Sequence, residues 1–154
     1  LLVYGLHLHL RWWGDQRFPD TAEAEFLVRH AAVWGVVRRA ATRATGSATF
    51  EGVPGTAIPA GATLRSATGA LLETTAAGAI GPGGTAALTI RAVEPGPGGN
   101  VAAGLRLPLV SPLAGLSRQD VLVGAGGIAG GAPIETDASL LERLLERIRR
   151  PPHG

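Results

Sequence analysis

The spacing of apolar positions changes along this chain, and each change marks a change of architecture. Between Asp20 and Arg39 the residues Phe26, Leu27, His30, Trp34 and Val37 recur at helical intervals, which predicts a helix over 20–39. Asp20 stands where an N-cap belongs, with Glu23 three residues on, as in a capping box; Arg38 and Arg39 suit the opposite end. From Ala44 the period falls to two, with Ala48 and Phe50 on one side and Thr49 and Glu51 on the other. The alternation returns in Leu88, Ile90 and Ala92 against Thr89, Arg91 and Val93. Strands are expected near 45–51, 62–67, 71–75, 85–93, 105–110 and 119–123, separated by turn clusters such as Pro54-Gly55, Pro59-Ala60-Gly61 and Pro95–Asn100. Pro108 and Pro112 make the strand around Leu109 an edge or a bulged strand.

Helical spacing comes back at the end. Leu140, Leu141, Leu144, Leu145 and Ile148 form a narrow stripe behind a cap at Thr136 or Asp137, and Pro151-Pro152 stops the helix. The pairs Arg143–Glu146 and Glu146–Arg150 each add about 0.2–0.5 kcal/mol on the exposed face. The opening, residues 1–17, fits two periods. Leu6-His7-Leu8-His9-Leu10 alternates like a strand, while Leu2, Leu6, Leu10 and Trp13 share a helical face that Gly14-Asp15 would end.

The composition of these 154 residues suits many short strands on tight turns, with 23 glycines and 11 prolines. There is no cysteine, which removes disulfides and thiolate metal sites. There is also no methionine, from which we expect a piece of a longer protein. All 14 basic residues are arginine, which lifts the isoelectric point to about 10.4, yet the net charge is only +2. That small surplus gives no electrostatic case for nucleic acid. No run of eighteen apolar residues predicts a membrane span, and Leu1–Leu6 lacks the basic start and cleavage site of a signal peptide.

Several stretches imitate chemical motifs. Val121–Gly130 resembles a dinucleotide fingerprint, but Gly130-Gly131-Ala132-Pro133 resists the helix that must follow, so it reads as a strand leading into a flexible glycine linker. His7 and His9 point apart on a helix, and on a strand they lack a third ligand. His30 reads as a buried, hydrogen-bonded histidine. Glu135 and Asp137 could hold a cation, but a helix N-terminus favours acids in any case. No serine sits in a nucleophile elbow, and no carboxylate pair is set for hydrolysis. The expectation is therefore no enzyme, no catalytic residues, no cofactor and no metal. Trp12, Trp13 and Trp34, at helical spacing, read as core or interface anchors.

An ordered set of segments carries a resemblance. Phe18–Ala22, Leu27–Ala31 with Trp34-Gly35 and Arg38, Ala41–Gly46, Gly55–Gly61, Gly99-Asn100 with Ala103-Gly104, Gly130-Gly131, Glu135–Asp137 and Arg149–Pro152 together resemble the baseplate J-like family, wedge proteins of Mu-like contractile phage tails. The resemblance tips residues 1–17 to helix. It implies an α+β fold: amino-terminal helices, a compact and mainly antiparallel β domain of short strands, and a carboxy-terminal helix. The expected division is a helical arm over 1–43, a β domain over 44–131, and a linker and helix over 132–154 leading to a following domain. That last helix is expected to cover its stripe with another copy or with the β domain. Gly46, Gly52, Gly55, Gly61 and Gly104 would set turns.

The function the resemblance implies is structural, in the baseplate of a contractile tail, prophage or tailocin. The implied partners are other tail proteins and copies of the chain in a six-fold assembly, with no nucleic acid, membrane or small-molecule substrate. The implied location is the virion baseplate, assembled in the bacterial cytoplasm. Interface residues are expected at Trp12, Trp13, Phe18, Trp34, Leu140, Leu144 and Ile148. The alternative is a carbohydrate- or host-receptor-binding β module with exposed aromatics.

Overall fold

The computed structural model describes residues 2–151. They form two compact units, one from residues 2–40 with 134–151 and the other from residues 41–133. The fold is α+β, with three helices and a mostly antiparallel sheet of short strands.

The β unit contains β1 (Thr45–Glu51), β2 (Ala57–Ile58), β3 (Thr63–Arg65), β4 (Leu71–Thr74), β5 (Gly78–Ala79), β6 (Thr85–Ala92), β7 (Arg106–Pro108) and β8 (Asp120–Ala129). Six strands pair in the order β3-β4-β6-β1-β8-β7, and β2 pairs with β5 as a separate ladder. The two edges of the large sheet meet where Leu64 opposes Leu109 and the Val110 amide donates to the Thr63 carbonyl at 2.9 Å, so the sheet nearly closes into a barrel. Pro108 sits on that seam and has no N–H to continue it, which leaves β7 the edge strand its prolines predict.

The two-residue period is buried as expected. Ala48, Phe50, Ile90 and Ala92 have no more than 1% of their surface exposed, and they meet Leu64, Leu72, Leu107, Val121 and Val123 in one core. Thr74, like Ser66, is polar and buried in this unit. Its hydroxyl donates to the Pro59 carbonyl at 2.8 Å and accepts from the Ala62 amide at 3.0 Å, replacing the water it has lost. The chain enters and leaves this unit side by side. Thr42 bridges Ala132, its hydroxyl accepts from the Ala132 amide at 3.1 Å, and Asn100 pairs with Gly131 through two hydrogen bonds of 2.9 Å.

Two sequence expectations change here. β8 does not end at Val123 but runs through Gly124-Ala125-Gly126-Gly127 to Ala129, so the glycine stretch is a bulged strand rather than a linker. Thr45–Gly46 pair with Ala129–Ile128, while Ala48–Thr49 pair with Val123–Leu122; four β8 residues are thus taken up opposite Ser47. Nor does Gly46 set a turn. A Cβ there would lie 2.2 Å from the Gly127 carbonyl oxygen, and Gly127 itself has a φ of +67°. Gly52 likewise lies against the backbone, 2.6 Å from the Gly115 carbonyl oxygen by the same measure, whereas Gly55, Gly61 and Gly104 have the positive φ of turn residues.

The helical unit contains α1 (Leu2–Asp15), α2 (Ala24–Val33) and α3 (Asp137–Arg149). α2 is shorter than its pattern. It ends because Gly35 adopts a φ of +69°, with the Val36 amide returning to the Ala31 carbonyl at 2.8 Å and the Gly35 amide to the Ala32 carbonyl at 3.0 Å, a Schellman stop. Trp34 and Val37 therefore fall beyond the helix and are exposed, and the buried face is Leu27, Ala31 and Val36. That face receives Leu140 and Leu144 of α3, both fully buried. The stripe of α3 is thus covered by α2 of the same chain, not by another copy or the β unit. At about 1.5–3 kcal/mol for each buried leucine, this contact holds the pair together. Thr136 caps α3 as expected, accepting from the Ser139 amide at 3.3 Å.

Alanine at neighbouring glycines separates a bulged strand from a linker. Gly127→Ala, strained by its φ and 2.8 Å from the Val101 carbonyl oxygen, should cost about 1–3 kcal/mol. Gly126→Ala, with nothing within 4 Å, should be near neutral in urea unfolding.

Candidate assembly interface

The sequence places three tryptophans and Phe18 in the first 34 residues, and the structure shows what holds them. α1 and α2 form a hairpin joined by side-chain contacts at its closed end. The Trp12 indole N–H donates to Glu23 Oε1 at 2.7 Å, and its ring meets Phe26 edge-on with centroids 5.7 Å apart. Trp13 also lies edge-on to Phe26, at 6.4 Å, and His9 stacks on Trp12 at 5.9 Å. Gln16 is buried, and its Oε1 accepts from the Glu23 amide at 2.8 Å.

That last bond corrects the predicted capping box. Glu23, not Asp20, is the N-cap residue of α2, and it makes no side-chain cap of its own. Its carboxylate is turned to Trp12 instead, and its N–H is satisfied by Gln16 seven residues earlier. His30 Nε2 lies 2.9 Å from the Gln16 carbonyl oxygen. A carbonyl only accepts, so Nε2 carries the proton. His30 is half-buried and hydrogen-bonded, a structural clasp between the two helices.

Away from this closed end α1 is bare. Val3, Tyr4, Leu6, Leu8, Leu10 and Trp13 are all exposed. Val3, Leu6, Leu10 and Trp13 recur at three-, four- and three-residue steps, the spacing of a seam that accepts a second helix. Tyr4, Leu8 and Trp12 form another apolar row on a different side. A helix apolar on more than one side is normally buried. No helix among the described residues is long and apolar enough to cross a membrane.

The seven expected interface residues divide cleanly. Trp13, Phe18 and Trp34 are exposed, Trp12 and Ile148 are half-buried, and Leu140 and Leu144 have no surface left to offer a partner. The structure brings Trp12 and Trp13 together around Phe26. Sequence reasoning missed Gln16, and it read Glu135 only as an acid at a helix N-terminus or a possible cation ligand, not as a clasp. Neither follows a local rule, because their partners lie seven residues away or in another element.

Glu135 is buried, as the link from residue 134 reaches α3. Its carboxylate accepts from Arg143 Nη1 at 2.7 Å, from the Arg39 amide at 2.9 Å and from the Ser139 hydroxyl at 3.2 Å. Arg143 thus pairs with Glu135 and not with Glu146 as its spacing predicts; Glu146 does pair with Arg150, at 2.9 Å. Asp137 pairs with Arg38, so neither acid is left to hold a cation. The hydrogen bonds from Arg143 and the Arg39 amide hold the Glu135 pKa below its ordinary value. On the β unit the charges pair across strands: Arg91 with Glu73 at 2.7 Å, and Arg106 with both Glu51 and Asp120 at 3.2 and 3.0 Å. Arg118 joins Asp120 at 3.0 Å and lowers its pKa.

Residues 47–130, most of the β unit, match the model described as the Baseplate J-like protein barrel domain. The chain belongs to the baseplate J-like family. It is 37% identical over 153 residues to a protein named Baseplate protein gp47 of Escherichia phage Mu, and 36% identical over 154 residues to one named Mu-like prophage FluMu protein gp47 of Haemophilus influenzae. Each match covers 99% of this chain and 42% of the relative, so the chain spans about two-fifths of the length of these curated relatives. The match to the family model lies wholly inside the β unit; the likeness to the two relatives extends through the helical unit as well.

Acid titration tests the Glu135 clasp. A carboxylate whose folded pKa is depressed contributes stability above its unfolded pKa, about 4.3, and loses it as pH falls through the lower folded value. Glu135→Gln should therefore destabilise the protein at neutral pH, and its deficit against wild type should shrink as pH falls below the carboxylate range. Denaturant unfolding at several pH values reads this, and a pH-independent deficit would contradict it.

Proposed function

We propose that this chain is a structural subunit of a contractile phage-tail, prophage or tailocin baseplate, whose barrel serves as a rigid body and whose α1–α2 hairpin docks onto neighbouring baseplate proteins. The observation that carries the reading is the uncovered apolar helix α1 on a chain of this family. Val3, Leu6, Leu10 and Trp13 offer an exposed seam that a free monomer gains nothing by displaying, and an assembling subunit does. The barrel supports the division of labour. Its strands are tied by cross-strand ion pairs such as Arg91 with Glu73 and Arg106 with Asp120, and they close on one apolar core. The reading extends to other copies of the chain in a six-fold arrangement, to the virion baseplate as its location, and to assembly in the host cytoplasm. No turnover of substrate is required of it.

A glycan- or receptor-binding module would draw on an exposed aromatic platform. The β unit has one aromatic residue, Phe50, and it is fully buried. The exposed aromatics all stand on the helical unit, beside the apolar rows that suit a helix partner.

The test is quantitative mass spectrometry of contractile particles purified from induced source cells. Peptides of this protein are expected at a few copies per particle, on a six-fold scale. Leu6→Glu with Leu10→Glu, at positions 56% and 62% exposed, should leave circular dichroism and thermal unfolding unchanged while removing the protein from particles. Particles lacking the wild-type protein would end the assembly reading. Full incorporation of the double variant would exclude α1 as the docking surface.

A further inference from the structure

We infer that a second copy of this chain docks at the closed end of the α1–α2 hairpin, inserting its Phe18-Pro19-Asp20 turn into a cleft beside Trp13. The cleft, about 380 Å³, has Trp13, Phe26 and Val33 as apolar walls and Arg17, Arg29 and His30 as its charged ones. Among the described residues no carboxylate lines it. The Arg29 guanidinium lies 6.0 Å from the Phe26 ring centroid, so the cation sits over the apolar floor. Among the described residues neither Arg17 nor Arg29 has a carboxylate within ion-pair distance.

Such a cleft fits an aromatic side chain with an acid close behind it, and the same hairpin displays that pairing. Phe18 is 64% exposed in the turn between α1 and α2, Asp20 is exposed two residues on, and Asp20 too has no ion-pair partner among the described residues. Phe18 does not line the cleft of its own chain. Cleft and plug lie side by side on one hairpin, which is the layout of a two-fold contact, where each copy gives its plug and receives the other's. Phe18 would fill the space against Trp13 and Phe26, and Asp20 would meet Arg29. A polyanion is a poorer occupant. The hairpin carries Asp15, Asp20, Glu23 and Glu25 against Arg11, Arg17 and Arg29, so it has no excess of positive charge, and of its arginines only Arg17 and Arg29 stand at the cleft.

This contact rests on the copy-to-copy assembly proposed above and names one surface for it. It is read by analytical ultracentrifugation of the purified chain from micromolar to millimolar concentration. Wild type should self-associate, and added salt should weaken it. Phe18→Ala should weaken association about tenfold. Asp20→Arg alone and Arg29→Asp alone should each abolish it, because each homodimer then faces like charges twice. Mixing the two variants should restore it, since every contact again joins a carboxylate and a guanidinium. A wild-type chain that stays monomeric throughout, or variants that associate as wild type does, would overturn the contact. Either result leaves the baseplate reading to the particle measurement, which does not depend on this surface.

Discussion

Strand β1 is hydrogen-bonded on both sides, to β6 and to β8, and the barrel depends on its fitting between them. The β6 side is regular: seven consecutive residues pair in one register. The β8 side is not, because β8 must absorb four residues opposite Ser47. Side chains have no room at three positions there, Gly46, Gly124 and Gly127. Gly46 faces the Gly127 carbonyl, and a Cβ on Gly124 would stand 2.5 Å from the Ser47 hydroxyl. The bulge sharpens the local twist, and it lets β8 run on to bridge Val101 at Ile128. In a stretch that imitates a nucleotide motif, Gly124 is thus required by its packing against β1 and Gly127 by its φ of +67° and the Val101 backbone.

The helical unit is built on a different principle. Leu140 and Leu144 of α3, Leu27 and Ala31 of α2 and Val36 just beyond it supply its core, and hydrogen bonds fix its ends. Glu135 gathers Arg143, Ser139 and the Arg39 amide, so the segment after α2 and the start of α3 are tied at one carboxylate. Gln16 does the same for the end of α1 and the start of α2. What this economy leaves out is α1 itself. Its aromatic end is held at Phe26, and most of its length is apolar and uncovered. Leu140 and Leu144 are spent on the core of this unit, while Leu6, Leu10 and Phe18 remain exposed, free for the docking we propose.

Much of this was legible in the chain because periodicity is a local property. The two-residue alternation at Ala48–Glu51 and Leu88–Val93 found strands, and the stripe at Leu140–Ile148 found a helix and its Thr136 cap. Pro108 marked an edge strand, since a missing N–H does not depend on context. The ordered motifs found the family. By contrast, β2 and β5, two residues each, carry no period at all. Asp20 and Glu23 satisfied a capping pattern that lost to a longer-range bond from Gln16. Trp34 and Val37 extended a helical pattern that Gly35 had already ended.

The sequence alone therefore determined the element types, the α+β class, the family and the concentration of aromatic residues near the start. Each is written in residues close together, where side-chain period, turn chemistry and motif order act. The tertiary structure decided which apolar residues are core and which are surface. Leu140 and Leu10 are equally hydrophobic, but only the former has a partner helix in this chain to exclude water from it. It also decided that the glycines of β8 lie in a sheet, because the register that places them is set by a strand some 80 residues earlier. Burial and close approach are relations between distant segments, and no local pattern carries them.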